Sequence, residues 1–279
     1  MEIIKAADVR QLIEDQKTII VDARGGPDAW ERFRSAHIEN ALFVNLETDL
    51  SHKSDNAAHG GRHPLPAPEV FGETLGKLGI TPDAVVIVYD DKKGANAAAR
   101  FWWMLKAAGH EKVFVVSGGI EALQKAGFQT VKGEAPSPVA APRYPFVDYQ
   151  LRRVDADEVA EAAENPDYMV IDVRENYRYV GESEPIDLVA GHIPGAVNIP
   201  FAGNLDKDGN FLPSEELAEK YKSALGSRDP KNIIVHCGSG VTACHTLLAL
   251  TDAGMDGAAL YVGSWSEWSR NDRPVATGN

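Results

Sequence analysis

Cysteine is nearly absent from this chain, with two residues, Cys237 and Cys244, among 279. They form no CxxC, and no paired Cys/His set has zinc-ligand spacing, so neither a disulfide framework nor a metal site is expected. Basic charge is also short: 28 Lys+Arg against 41 Asp+Glu leave a net charge of -13 and a pI near 5.1. That excess repels nucleic acid and anionic membranes at long range, so neither is an expected partner. No run of about eighteen apolar residues occurs, and Met1-Glu2-Ile3-Ile4-Lys5 begins no basic-then-apolar leader. A cytoplasmic location is the expectation. Gly25-Gly26 and Gly118-Gly119 read as turn glycines, because no GxGxxG follows a strand.

What the chain does contain is a repeat. Thr18-Ile19-Ile20-Val21-Asp22-Ala23-Arg24 resembles Tyr168-Met169-Val170-Ile171-Asp172-Val173-Arg174, and Ala36-His37-Ile38 resembles Gly191-His192-Ile193. Val85 to Asp90 resembles Asn232 to Cys237, and Ala107-Ala108-Gly109 resembles Asp252-Ala253-Gly254. Matches in one order with slowly drifting offsets indicate a tandem duplication. Strands alternating with short helices in each half predict an α/β fold, each half a mostly parallel sheet with helices on both faces. Between the halves, Pro136, Pro138, Pro142 and Pro145 forbid a helix or central strand. The expected organisation is a domain over 1–132, a Pro-rich linker over 133–145 and a domain over 146–279.

The stretch of greatest chemical interest is Ile233 to His245. An apolar run reads as a buried strand, Thr242 to Leu250 reads as a helix, and Cys237 sits at the turn between them. The first N–H groups of a helix lack intrahelical partners and carry the positive end of its dipole, so a thiolate there is stabilised. Gly238 and Gly240 let the backbone curl around the sulfur. At the matching place the first half has Asp90, which cannot carry sulfur, so that half is expected to be catalytically silent. Cysteine-dependent phosphatases place an arginine six residues after their cysteine to clamp phosphate oxygens; here that position is Ala243, which argues against phosphatase chemistry.

Taken together, the Asp-x-Arg strand ends, the turn Gly191-His192-Ile193-Pro194-Gly195-Ala196, the loop Cys237 to Thr242 and the closing Gly263-Ser264-Trp265-Ser266-Glu267-Trp268 resemble the two-domain rhodanese-type sulfurtransferases. The likeness covers nearly the whole chain and implies tandem rhodanese-like domains, the second catalytic. Cys237 is then the nucleophile that becomes a persulfide, in two covalent steps with ping-pong kinetics and no cofactor. The amides of Gly238, Ser239, Gly240, Val241 and Thr242 would cradle the anionic sulfur. The loop resembles the branch that uses 3-mercaptopyruvate, whereas the thiosulfate branch typically has an Arg-Lys pair where Gly238 and Ser239 stand. The implied donor is 3-mercaptopyruvate, with thiosulfate the alternative. The implied acceptor is cyanide, a thiol or thioredoxin. A persulfide carrier serving a protein partner is the second reading, and a monomer or weak dimer is expected.

The resemblance also assigns other residues. Arg178 matches an arginine that binds the donor's acidic group; a second family arginine falls near Asp187, a departure from the pattern. His63, in Gly60-Gly61-Arg62-His63-Pro64, matches a histidine that with Ser239 and an earlier acid forms a proton relay, the acid being Glu47 ahead of Asp49. Arg24 and Arg174 recur in both halves and are expected to tie a strand end to a loop. His37 and His192 are expected to stabilise turns. Cys244 is read as a small core residue, Trp102-Trp103 as core or interdomain packing, and Trp265/Trp268 as either core or pocket wall.

Overall fold

The computed structural model describes residues 2–15 and 17–278; Met1 and Asn279, the outer limits of the expected domains, lie outside the described residues. The chain divides into two compact units. The first comprises Met1–His52, Pro66–Gln150 and Lys207–Phe211, and the second Lys53–Leu65, Leu151–Asp206 and Leu212–Asn279. The segment carrying Arg62 and His63 therefore belongs to the second unit, although it precedes most of the first in sequence.

The first unit contains β1 (Ile3–Ile4), β2 (Thr18–Arg24), β3 (His37–Ile38), β4 (Leu42–Asn45), β5 (Val85–Tyr89), β6 (Val113–Val116) and β7 (Thr130–Val131). Its helices are α1 (Val9–Asp15), α2 (Ala29–Ser35), α3 (Pro68–Lys77), α4 (Ala97–Ala107) and α5 (Gly119–Lys125). Five strands form a sheet in the order β1-β6-β5-β2-β4, with every neighbouring pair parallel. All of β5, Val-Val-Ile-Val-Tyr, is buried, as a central parallel strand covered on both faces requires. The Pro-rich segment has no helix or strand, but it is docked rather than loose. Ala141 donates its N–H to Gly76 O at 2.8 Å and Tyr144 to Gly72 O at 3.0 Å, against an α3 face kept bare by glycine. Trp102 and Trp103 lie in the core of this unit.

The second unit repeats the plan with β8 (Arg153–Val154), β9 (Met169–Asp172), β10 (Val197–Asn198), β11 (Ile233–His236) and β12 (Ala259–Tyr261). The sheet order, β10-β9-β11-β12-β8, is that of the first unit read from the opposite edge, and it too is all parallel. Around it lie α6 (Ala156–Glu164), α7 (Asn176–Tyr179), α8 (Ser214–Leu225), α9 (Thr242–Asp252) and α10 (Ser264–Trp268). Asp155 starts α6 with a capping box closed by Glu158, which satisfies N–H groups that otherwise have no intrahelical partner. Ile234 and Val235 are at most 1% exposed, and burial of such side chains stabilises the fold by about 1.5–3 kcal/mol each.

The duplication extends to details. Asp22 pairs in register with Tyr89, and Asp172 with His236, so Asp90 and Cys237 leave the carboxyl ends of equivalent central strands. In open parallel sheets that end is where ligands bind. Arg24 clasps Asp22 (2.6 Å) and donates to Ala36 O (2.8 Å); Arg174 clasps Asp172 (2.5 Å) and donates to Gly191 O (2.7 Å). Each arginine thus ties its strand end to the residue before the repeated histidine. His37 and His192 place Nδ1 on Phe33 O (3.0 Å) and Tyr179 O (2.8 Å) and stack on those same residues' rings. These contacts give the four residues the scaffold roles their recurrence suggests.

Candidate active site

Cys237 is 2% exposed, at the exit of β11. The loop after it is pinned from outside. Trp265 N–H donates to Cys237 O at 3.0 Å and Ser266 N–H to Gly238 O at 2.9 Å, while Cys244 Sγ reaches Gly240 O at 3.2 Å. In a trans peptide the C=O and the next residue's N–H point in opposite directions. Fixing those three carbonyls therefore turns the N–H groups of Gly238, Ser239 and Val241 the other way, toward the inside of the loop. The turn depends on Gly240, whose φ is +76° and whose added Cβ would lie 2.5 Å from Val262 O. Ser264, itself at φ +52°, accepts the Cys237 N–H on Oγ at 3.2 Å.

The first unit shows what such a loop binds. Asp90, fully buried, accepts the N–H groups of Lys92 (2.8 Å) and Gly94 (2.7 Å) on Oδ1, and those of Asn96 (3.0 Å) and Ala98 (3.2 Å) on Oδ2. Burial pushes its carboxyl up, against the pull of these four amides. The first-unit cradle is thus filled by the chain's own carboxylate, and in the second unit the residue at that root is Cys237.

A second strand of chain reaches the loop. Gly60 and Gly61 both have φ +79°, and a Cβ on Gly61 would lie 2.3 Å from Gly263 O, so only glycine allows this approach. Gly60 N–H donates to Glu267 Oε1 (2.7 Å), Arg62 N–H to Ser266 Oγ (3.0 Å) and Asn271 Nδ2 to Ala58 O (2.7 Å). That stitching to α10 places His63 Nδ1 2.8 Å from Ser239 Oγ and brings Arg62 onto Asp187.

Arg178, held by α7, is 6% exposed. Glu184 grips it through Nε (3.0 Å) and Nη2 (2.8 Å). Burial raises the Glu184 carboxyl, but hydrogen bonds from Arg178 and from the Asp187 and Ile186 amides outweigh it and hold the group below the usual carboxylate range. Asp187 Oδ1 pairs with Arg62 and, at 3.1 Å, with Arg270, and its Oδ2 lies 3.5 Å from Arg178. A Cβ on Gly238 would meet Arg62 Nη2 at 3.2 Å and Arg178 Nη2 at 3.3 Å. Two guanidinium groups therefore flank the residue next to the cysteine.

Cys237, Gly238, Ser239, Gly240, Val241, Thr242, Arg178 and His63 are accordingly parts of one unit. Glu47 belongs to the other, where its Oε1 accepts the Gly26 N–H at 2.8 Å, and Asp49 Oδ2 accepts the Asn45 N–H at 2.8 Å. Trp265 and Trp268 are core residues, while the backbone of α10 is what clamps the cysteine loop. His236 is fully buried, 3.9 Å from Asp172, and burial pushes its imidazole below the ordinary value. Arg62, Arg270, Glu184, Ser264 and Ser266 were not singled out by sequence, although Arg62, Ser264 and Ser266 stand inside motifs that were. A cavity of about 920 Å³ is lined by first-unit residues such as Lys17, Ile19, Phe128 and Val139 and by none of these groups. Among the described residues no cluster of three His, Cys, Asp or Glu could hold a metal, and no helix is long and apolar enough to cross a membrane.

Comparison with known proteins agrees with this geometry. The Rhodanese-like domain family matches residues 5–126 and again 155–271. A protein of Pseudomonas aeruginosa named probable 3-mercaptopyruvate sulfurtransferase is 41% identical over 249 residues, 88% of this chain and 86% of that one. The thiosulfate sulfurtransferase of Gallus gallus is 34% identical over 88% of this chain and 83% of its own length. The solved 3-mercaptopyruvate sulfurtransferase of Leishmania major superposes with a TM-score of 0.84 at 31% identity, covering 98% of this chain and 75% of that one. With two family matches along its length and relatives this similar over most of it, the chain belongs to the rhodanese family and is a tandem-domain sulfurtransferase.

Proposed function

We propose that the chain takes sulfur from 3-mercaptopyruvate, carries it as a Cys237 persulfide and hands it to a thiol, thioredoxin or cyanide. The observation that carries the choice of donor is the 2.8 Å contact of His63 Nδ1 with Ser239 Oγ, two residues from the cysteine. Attack of the thiolate on the donor's sulfur forms an S–S bond and breaks the C–S bond, whose electron pair leaves as the enolate of pyruvate. The donor's S–H proton must depart and the enolate carbon must gain one. A hydroxyl–imidazole pair supplies such a relay. Thiosulfate releases sulfite in the same attack with no proton to move, so it has no use for the pair.

In this reading the inward N–H groups of Gly238, Ser239 and Val241 stabilise the thiolate and then the persulfide. Arg178 faces the donor's carboxylate. Glu47 and Asp49 are engaged within the first unit, and no step is assigned to them.

Steady-state kinetics with both donors test the proposal. His63→Ala is expected to lower kcat with 3-mercaptopyruvate by about 10²-fold or more, the size of a general acid–base contribution. Turnover of thiosulfate by the same variant should stay near that of the parent. A parent protein that strongly prefers thiosulfate refutes the donor assignment. Turnover of neither donor, with Cys237 persulfidated by a protein source of sulfur, would favour the carrier reading.

A further inference from the structure

We infer that the first unit holds a binding site for a small organic anion, a carboxylate or sulfonate on an apolar body, in the cavity at the amino ends of β2 and β4. The site is independent of the choice of sulfur donor.

The two copies of the repeat differ here. Val21 pairs in register with Leu42 and Ile171 with Val197, so Thr18, Ile19 and Leu42 stand where the second unit has Tyr168, Met169 and Val197. Each set lines a cavity within its own unit, of about 920 Å³ in the first and about 260 Å³ in the second. Thr18 in place of Tyr168 takes a phenol ring out of the wall, and its Oγ1 turns to α1, donating to Leu12 O at 2.7 Å. Val21 is fully buried, but Thr18, Ile19 and Ile20 are only half-buried, so apolar strand surface is left open to the cavity. Leu78 and Phe128 add further apolar wall, and Pro136, Pro138 and Val139 bring the docked Pro-rich segment alongside. Pockets that take one small molecule run to about 300–1,000 Å³, and the first cavity has that size whereas the second does not.

Charge selects the class of ligand. The charged residues lining the first cavity are Arg10, Lys17 and Glu39, one positive charge in excess in a chain whose net charge is -13. The equivalent positions of the second copy hold Ala160, Asp167 and Pro194, so neither cation is part of the shared scaffold. Arg10 is held at the wall, with Nη2 donating to Gly127 O at 2.8 Å and its guanidinium 4.6 Å from the centre of the Phe128 ring. Lys17 is exposed and immediately precedes Thr18. An acidic head between these cations, with its apolar body against Ile19, Ile20 and Phe128, meets both kinds of surface. Thr18 and Arg24 are the two ends of β2, about 20 Å apart along a strand of this length, so the ligand lies away from the end that carries the Asp90 loop.

The probes for a test are 1-anilinonaphthalene-8-sulfonate, an aromatic body with a sulfonate, and N-phenyl-1-naphthylamine, the same body without the charge. Isothermal titration calorimetry of the full chain should give one saturable site per chain for the sulfonate. Lys17→Glu is expected to weaken that probe by about 3- to 10-fold and the neutral one by less than about twofold. Thr18→Tyr, which restores the ring of the second copy, should weaken both by about 10-fold or more. Lys17 is exposed, so its variant decides the outcome even where Thr18→Tyr fails to fold. Binding that does not saturate at one site, equal affinity for the two probes, or a sulfonate affinity unchanged by Lys17→Glu overturns the inference. Dimerisation of the parent in sedimentation velocity, with the sulfonate displaced as protein concentration rises, would give the cavity to a second copy of the chain and overturn it as well.

Discussion

Gly240→Ala is the most direct challenge to the account of the cysteine loop. Two costs follow from the geometry. At φ +76° an alanine pays about 1–2 kcal/mol for the left-handed conformation. Its methyl would also lie 2.5 Å from Val262 O, about 1 Å short of ordinary contact at 3.4 Å. The obstacle is backbone between β12 and α10, so it cannot swing aside as a side-chain tip could. Overpacking of that kind costs about 1–3 kcal/mol, giving about 2–5 kcal/mol in all. At about 2–4 °C per kcal/mol, a fall in Tm of about 4–20 °C is expected. Activity should suffer beyond instability, because a shift of about 1 Å in positioned groups can cost about 10²-fold in rate. Gly238→Ala is the control. Its φ is not left-handed and its nearest neighbours are the flexible tips of Arg62 and Arg178, so stability should change by less than about 1 kcal/mol while KM for the donor rises. Differential scanning calorimetry and donor kinetics on the two variants read the contrast. A Gly240→Ala protein that melts within about 2 °C of the parent and keeps its kcat would refute the claim that this turn builds the cradle.

Other predictions concern the thiol and two perturbed groups. Cys237→Ser should fold normally, lose donor turnover, and take up no sulfur detectable by intact mass spectrometry, whereas Cys244→Ser should still become persulfidated. Because the Glu184 carboxyl sits below its ordinary value of 4.5, its pairing with Arg178 stabilises the fold above that pH and is lost as pH falls through the depressed value. The stability gap between the parent and Glu184→Gln should therefore be full at neutral pH and shrink in acid below about pH 4. Lys220 runs the opposite way: burial pushes its amine down to about 8, with Nζ donating to Asn204 Oδ1 at 2.7 Å. Between that value and the ordinary 10.5 the unfolded chain binds more protons, so stability should rise with pH across this window. Melting curves of Lys220→Met should lack that rise; an unchanged pH profile would show that the amine titrates normally.

The internal repeat made much of the fold legible. An apolar run ending in Asp-x-Arg can be matched to its copy by eye, and the two sheets share one strand order. The scaffold roles of Arg24, Arg174, His37 and His192 were readable for the same reason, since a residue kept in both halves serves what both halves share. The arginine cluster was not readable. Arg62, Asp187 and Arg270 are scattered along the sequence; three hydrogen bonds between residues 58–62 and residues 266–271 bring Arg62 beside α10, and Asp187 pairs with both arginines. Such pairings have no periodicity to betray them. The apparent defect at Asp187 was visible in the sequence, but its meaning depends on which cations stand around it.

The two central loops put the same backbone device to different ends. In the first unit the run from Asp90 to the start of α4 at Ala97 coils around a carboxylate, and four amides hold it. In the second, α9 begins at Thr242, two residues sooner after its root than α4 does, and a cysteine stands there. In the first loop the amides at this strand end hold the Asp90 carboxyl group, which burial pushes up, with no ion pair to it among the described residues. On the proposed reading, a thiolate at Cys237 would make the same demand of the shorter loop. The guanidinium groups beside Gly238 would, on that same reading, act on the donor rather than on the sulfur. That division explains how a loop without a positive side chain between Cys237 and Thr242 can serve a nucleophile whose reactive form is an anion.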